Sequence, residues 1–190
     1  MKTFPSSDLE RPVVVTGFIG SGHEIVGEWI AERLGQTVFN TFEDPVCKET
    51  WLRDPDDLAT RAEIYNALAI CSTDISPRVI VLRARPFGRV LMRHLLDAVN
   101  ATSIFVDTPK ELCLKHIESP TWKYAGDRPM TRAAWGDLVG DYDEVRGVVS
   151  SLATVIIRPN VWPGDFGAEQ VKELLALAGT PLTPALPAGN

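Results

Sequence analysis

A chain of 190 residues with a net charge of −6 and a pI near 5.1 is long enough for one substantial core, and its acidity disfavours nonspecific attachment to nucleic acid or an anionic membrane. Its three cysteines, Cys47, Cys71 and Cys113, lie far apart without C-x-x-C spacing, which argues against a disulfide framework or a zinc site and for small core residues in a reducing compartment. No apolar run reaches membrane-span length, and the opening MKTFPSSDLERP lacks the apolar core of a signal peptide, so the cytoplasm is the expected location.

Residues 1–11 and the Pro/Gly/Thr-rich 179–190 read as flexible tails around a single domain, 12–178. The first element is a strand, Val13-Val14-Val15, running into a glycine-rich turn from Gly17 to Gly22. An amphipathic helix follows, with Val26, Trp29, Ile30 and Leu34 on one face and Gly35 as its stop. The spacing G-x-x-x-x-G is that of a phosphate-binding loop, in which glycines let backbone N–H groups wrap an anion at a helix N-terminus. The Lys and Ser/Thr that complete such a loop are here His23 and Glu24. Glu24 brings a negative charge to the place of a phosphate, whereas a protonated His23 offers it a cation. Ser21-Gly22-His23-Glu24 also matches the S-x-x-E capping box, which satisfies a helix start with no ligand. Both readings stay open on the residues alone.

Thr37-Val38-Phe39 reads as a short second strand, and residues 44–70 as mainly helical, broken by Pro45 and Pro55. Arg78 to Leu82 carries a buried-strand signature, Val79-Ile80-Val81, and a helix is expected over 87–99. Arg83 and Arg85, two apart at that strand's end, suit a bidentate grip on phosphate or carboxylate; Arg89, Arg93 and His94 read as a solvated helix face. Ser103 to Val106 is the next strand, with Asp107-Thr108-Pro109 opening a helix to Ile117 and Asp107 read as its cap. The turn-rich segment 119–131, with Lys123 and Arg128, reads as a cover over a site, and Arg128 as a lid cation. A helix over 132–152, a strand over 154–157 and a helix over 168–177 complete the chain. Strands alternating with helices predict a parallel sheet covered on both faces, with ligands at the strands' carboxyl ends.

In this order the pieces resemble the shikimate kinase branch of the P-loop small-molecule and nucleotide kinases. The likeness rests on GFIGSGHEIVGEWIAERLG, on SIFVDTPKELCLKHI, on Asp127-Arg128-Pro129-Met130 as the lid motif, and on Asp141-Tyr142-Asp143-Glu144-Val145 as the helix that follows it. The resemblance implies an α/β, three-layer P-loop kinase-like domain with a central parallel sheet of about five strands and a lid segment. It implies ATP or another nucleoside triphosphate with Mg²⁺ as cofactor if the chain is active, cradled by Gly17, Gly20, Ser21, Gly22, His23 and Glu24. Arg128 and His23 then stand at the catalytic positions, and Arg83 and Arg85 hold a small phosphorylated or anionic acceptor.

The departures point the other way. Asn40 and Phe42 stand where the family has carboxylates, and Arg83-Ala84-Arg85-Pro86 replaces its G-G-G. Val139 and Gly140 occupy the region of a later family arginine, so Mg²⁺ would fall to Glu43, Asp44 or Glu24. Phe42-Glu43-Asp44-Pro45 with Arg83 or Arg85 is similar, more weakly, to phage-type deoxynucleoside monophosphate kinases, and a glycine loop with a basic strand end also fits sulfotransferases. Two functions therefore compete: a divergent kinase homologue binding a phosphorylated ligand, with phosphoryl transfer if active, and a non-catalytic scaffold or regulatory protein that works through a protein partner and needs no cofactor.

Overall fold

The computed structural model describes residues 12–40, 79–83, 101–119, 140 and 142–178. Outside the described residues lie the tails, the helices expected over 44–70 and 87–99, and all but Ser119 of the expected cover.

The elements run β1 (Val13–Gly17), α1 (His23–Leu34), β2 (Val38–Asn40), β3 (Val79–Arg83), β4 (Thr102–Val106), α2 (Lys110–Ile117), α3 (Tyr142–Ser150), β5 (Val155–Ile157), a short 3₁₀ turn (Pro163–Asp165) and α4 (Ala168–Ala178). The strands form one five-stranded sheet in the order β2-β3-β1-β4-β5, every pair parallel. Its central strands are apolar on both faces because helices cover both: Val13, Val14 and Val15 are at most 2 % exposed, and Val79 to Leu82 at most 1 %.

The period of two along each strand divides the core. Val13, Val15, Ile104 and Val106 meet Val26 and Ile30 of α1 and Leu174 of α4 on one face. On the other, Phe105 meets Cys113 and Ile117 of α2 and Tyr142 and Val149 of α3. Burying a side chain such as Ile30, fully enclosed here, contributes about 2 kcal/mol. Burial pushes the Cys113 thiol up to about 12, so it serves as an inert packing group.

Gly35 ends α1 as its sequence predicts: it takes φ 62°, with Gly35 N bonded to Glu32 O and Gln36 N to Ala31 O. The helix expected to reach residue 152 stops at Ser150, because Leu152 N bonds Val149 O in a tightened last turn and Leu152 O accepts from Ser103 Oγ. No helix among the described residues is long and apolar enough to cross a membrane.

The register fixes what the sheet presents. Gly17 at the end of β1 is level with Arg83 of β3 and Val106 of β4, so the loop after β1 and the turn after β4 emerge side by side at the carboxyl edge.

Candidate phosphate-binding loop

Past Gly17 the chain folds back on itself, with Ser21 N donating to Phe18 O at 2.9 Å, before α1 begins at His23. Gly20 and Gly22 both take φ 76°, in the left-handed region that glycine enters without a Cβ penalty. Phe18 and Ile19, 5 % and 1 % exposed, anchor the turn, and the Phe18 ring meets Tyr142 edge-on at 4.6 Å.

The capping box is not formed. Gly22, not Ser21, is the N-cap of α1, and it has no side-chain cap bond. Ser21 sits one residue too early, and its Oγ instead lies 3.0 Å from His23 Nδ1. His23 is 1 % exposed, and its Nδ1 is also 3.1 Å from Glu24 Oε2, a side chain 31 % exposed. A carboxylate only accepts, so Glu24 takes a hydrogen bond from Nδ1 in the form of the ring that carries a proton there. Ser, His and acid here do not make a hydrolytic relay, because both partners address one ring nitrogen whereas a relay uses both. The ring packs into the loop: a Cβ on Gly17 would strike Ser21 Oγ and lie 2.5 Å from His23 Cβ.

Two side chains from distant segments hold the loop's carbonyls from outside, each backed by a second. Thr108 Oγ1 donates to Ser21 O at 2.7 Å, and Tyr142 Oη donates to Thr108 O at 2.6 Å. Burial raises the Tyr142 hydroxyl well above its usual range, so it stays a donor at ordinary pH. Trp162 Nε1 donates to Gly20 O at 3.0 Å, and its ring stacks on His116 at 3.8 Å between centroids and 19° between planes. Burial lowers the His116 pKa, against the opposing charges of Glu24 and Asp165.

No protein-family model and no curated protein matches the chain. Solved structures do. Shikimate kinase from Acinetobacter baumannii in complex with shikimate is similar over 91 % of this chain and 96 % of its own, with 18 % identity and a TM-score of 0.63. Shikimate kinase from Bacteroides thetaiotaomicron is similar over 88 % and 95 %, with 12 % identity and a TM-score of 0.64. A gluconokinase from Sinorhizobium meliloti 1021 is similar over 89 % and 91 %, with 20 % identity and a TM-score of 0.58. The chain has the P-loop kinase fold.

Within that fold the sequence-predicted residues divide. Gly17, Gly20, Ser21, Gly22, His23 and Glu24 come together in one turn, and the Arg83 backbone lies beside it. Arg85, Arg128, Glu43 and Asp44 lie outside the described residues. Asn40 ends β2, two strands from β1.

Asp107 is not a helix cap. Pro109 is the N-cap of α2, without a side-chain cap bond, while Asp107 is gripped by Arg146 through Nε at 2.6 Å and Nη2 at 3.0 Å and by Arg158 Nε at 3.3 Å. Two guanidinium groups within charge-assisted reach outcompete a neutral backbone N–H. The Asp107 contact holds the Arg146 pKa above its usual value. Arg146, Arg158 and Trp162 carry no sequence signal beyond a Trp-Pro-Gly turn, and Thr108, expected at a helix opening, holds the loop instead.

Among the described residues, no group of three or more His, Cys, Asp or Glu side chains is arranged to hold a metal ion. The described side chains of the loop do not offer a Mg²⁺ set: Glu24 is turned to His23, and Asp107 is engaged by arginines.

Proposed function

We propose that this chain is a divergent small-molecule or nucleotide kinase homologue whose Gly17–Gly22 loop binds the phosphate of a small phosphorylated ligand. One observation carries the reading: Gly22 N–H, in a fully buried turn at the start of α1, has no acceptor among the described residues, while the loop's glycines keep the left-handed conformation of an anion nest. If the chain transfers a phosphoryl group, a nucleoside triphosphate is the donor, Arg128 and His23 stand at the catalytic positions, Arg83 and Arg85 hold the acceptor, and the cytoplasm is the setting. The likeness to kinases that act on shikimate and gluconate supports a small anionic acceptor only by analogy of fold.

A second reading, a scaffold or regulatory protein without ATP chemistry, draws on the closed Ser21–His23–Glu24 contacts, which fill the loop with the chain's own side chains. Calorimetry separates the two. Wild type should bind Mg-ATP weakly, because Glu24 repels phosphate and the lysine is missing. The double substitution His23→Lys and Glu24→Thr supplies the ammonium and the hydroxyl and should tighten Mg-ATP binding by more than about 2 kcal/mol. A folded double variant with no gain in affinity favours the scaffold.

A further inference from the structure

We propose that Trp162 and Thr108 are positioning residues that set the phosphate loop's backbone donors, an inference that rests on reading the loop as an anion site. The C=O and N–H of a trans peptide point in opposite directions, and the described chain has no cis bonds. Fixing a carbonyl on one side therefore fixes the next residue's N–H on the other. Trp162 Nε1 holds Gly20 O, and the Ser21 N–H of the same peptide accordingly turns inward, to Phe18 O. Thr108 Oγ1 holds Ser21 O, so the Gly22 N–H of that peptide is turned away from Thr108, where no described residue accepts it. The first peptide shows the device closed on the loop's own carbonyl. The second leaves the Gly22 N–H without an acceptor among the described residues, the donor that an anion at the start of α1 would take.

The tryptophan is itself held in place. Its ring lies on His116, Asp165 N bonds Trp162 O at 2.8 Å, and a Cβ on Gly164 would run into the ring. Pro163 stands against the loop as well, 2.8 Å from where a Cβ on Gly22 would be. Residues 162–164 thus form a buttress built onto the loop from the β5–α4 connection, and Thr108 forms its counterpart from the β4–α2 turn. Tyr142 steadies the second brace through Thr108 O.

The test pairs two variants with a control. Trp162→Phe keeps a ring on His116 and removes the N–H; Thr108→Val removes the hydroxyl at similar shape; Thr108→Ser retains it. In the unliganded protein, the ¹³C signal of Gly20 C=O should move in Trp162→Phe, and the Gly22 amide in Thr108→Val, with circular dichroism unchanged. Inorganic pyrophosphate should shift the Gly22 amide of wild type, and each brace variant should bind it about five- to tenfold more weakly, the loss of one hydrogen bond's worth of orientation, while Thr108→Ser binds like wild type. Folded brace variants with unmoved loop signals and unchanged pyrophosphate affinity overturn the proposal. Loop signals that move in the variants while wild type shows no response to pyrophosphate overturn the anion-site reading instead, and the ligand-positioning role with it.

Discussion

The loop after β1 and the turn after β4 leave adjacent strands at the same level, yet they are built on opposite plans. The loop is made of backbone: its His23 and Glu24 side chains turn to one another, and its carbonyls are tied outward by neutral donors. The turn is made of side chains: a carboxylate 3 % exposed is enclosed by two arginines, 49 % and 66 % exposed. Guanidinium groups at a sheet's carboxyl edge suggest an anion site by composition, but these two are turned onto Asp107, with Asp143 close to Arg146 as well. The loop, with less charge, offers backbone: the Gly22 N–H has no acceptor among the described residues. The two regions differ in whether a charge already has an opposite charge beside it.

The comparison breaks most readily at Asp107. Asp107→Ala removes three charge-assisted contacts that tie α3 and the end of β5 to β4, and should lower unfolding stability by about 2 kcal/mol in urea titration. The cost stays below that of breaking a buried pair because both arginines are left in water. Pyrophosphate affinity should stay within about twofold of wild type. If it falls as far as in the Trp162→Phe variant, the two regions are one site and the contrast fails.

The arginines sharpen the same point at smaller scale. Arg146 holds Asp107 with two nitrogens, and Arg158 with one at the longer distance from a more exposed side chain. Arg146→Ala should cost about 1 kcal/mol and Arg158→Ala less than about 0.5 kcal/mol, as for exposed ion pairs. Equal losses would mean that the bidentate geometry contributes nothing.

The sequence made the local parts of both regions legible. Runs such as Val13-Val14-Val15 and Val79-Ile80-Val81 read as buried strands because nothing polar interrupts them, and Gly20, Gly22 and Gly35 marked turns that their backbone freedom allows. What decided between competing local patterns came from far along the chain. Ser21 to Glu24 fitted both a cap and a phosphate loop; the cap did not form, and the loop's carbonyls are held by Thr108, 87 residues from Ser21, and Trp162, 142 residues from Gly20. Asp107 carried a cap signature until Arg146 and Arg158, 39 and 51 residues on, took its carboxylate. Contacts of that range leave no periodicity to read. The members of the candidate site were therefore visible, and their orientation was not.

The smallest expected effect lies at His116, the plate beneath the Trp162 brace, and it ties the loop side of the comparison to pH. Burial in the stack lowers its pKa from 6.5, with the charges of Glu24 and Asp165 opposing that shift in part. Above the unfolded value both states carry a neutral imidazole, and the stack's contribution is complete. As pH falls below 6.5 the unfolded chain takes up the proton first, so stability is lost progressively until pH passes the lowered folded value, below which no more is lost. Urea titrations of wild type and His116→Phe between about pH 5 and pH 7.5 isolate this, since the phenyl ring can stack but not titrate. The stability of wild type relative to the variant should decline toward the acid end of that range. A difference that is flat, or that grows as pH falls, would mean that protonated His116 is accommodated against Trp162 and that the brace does not depend on a neutral ring.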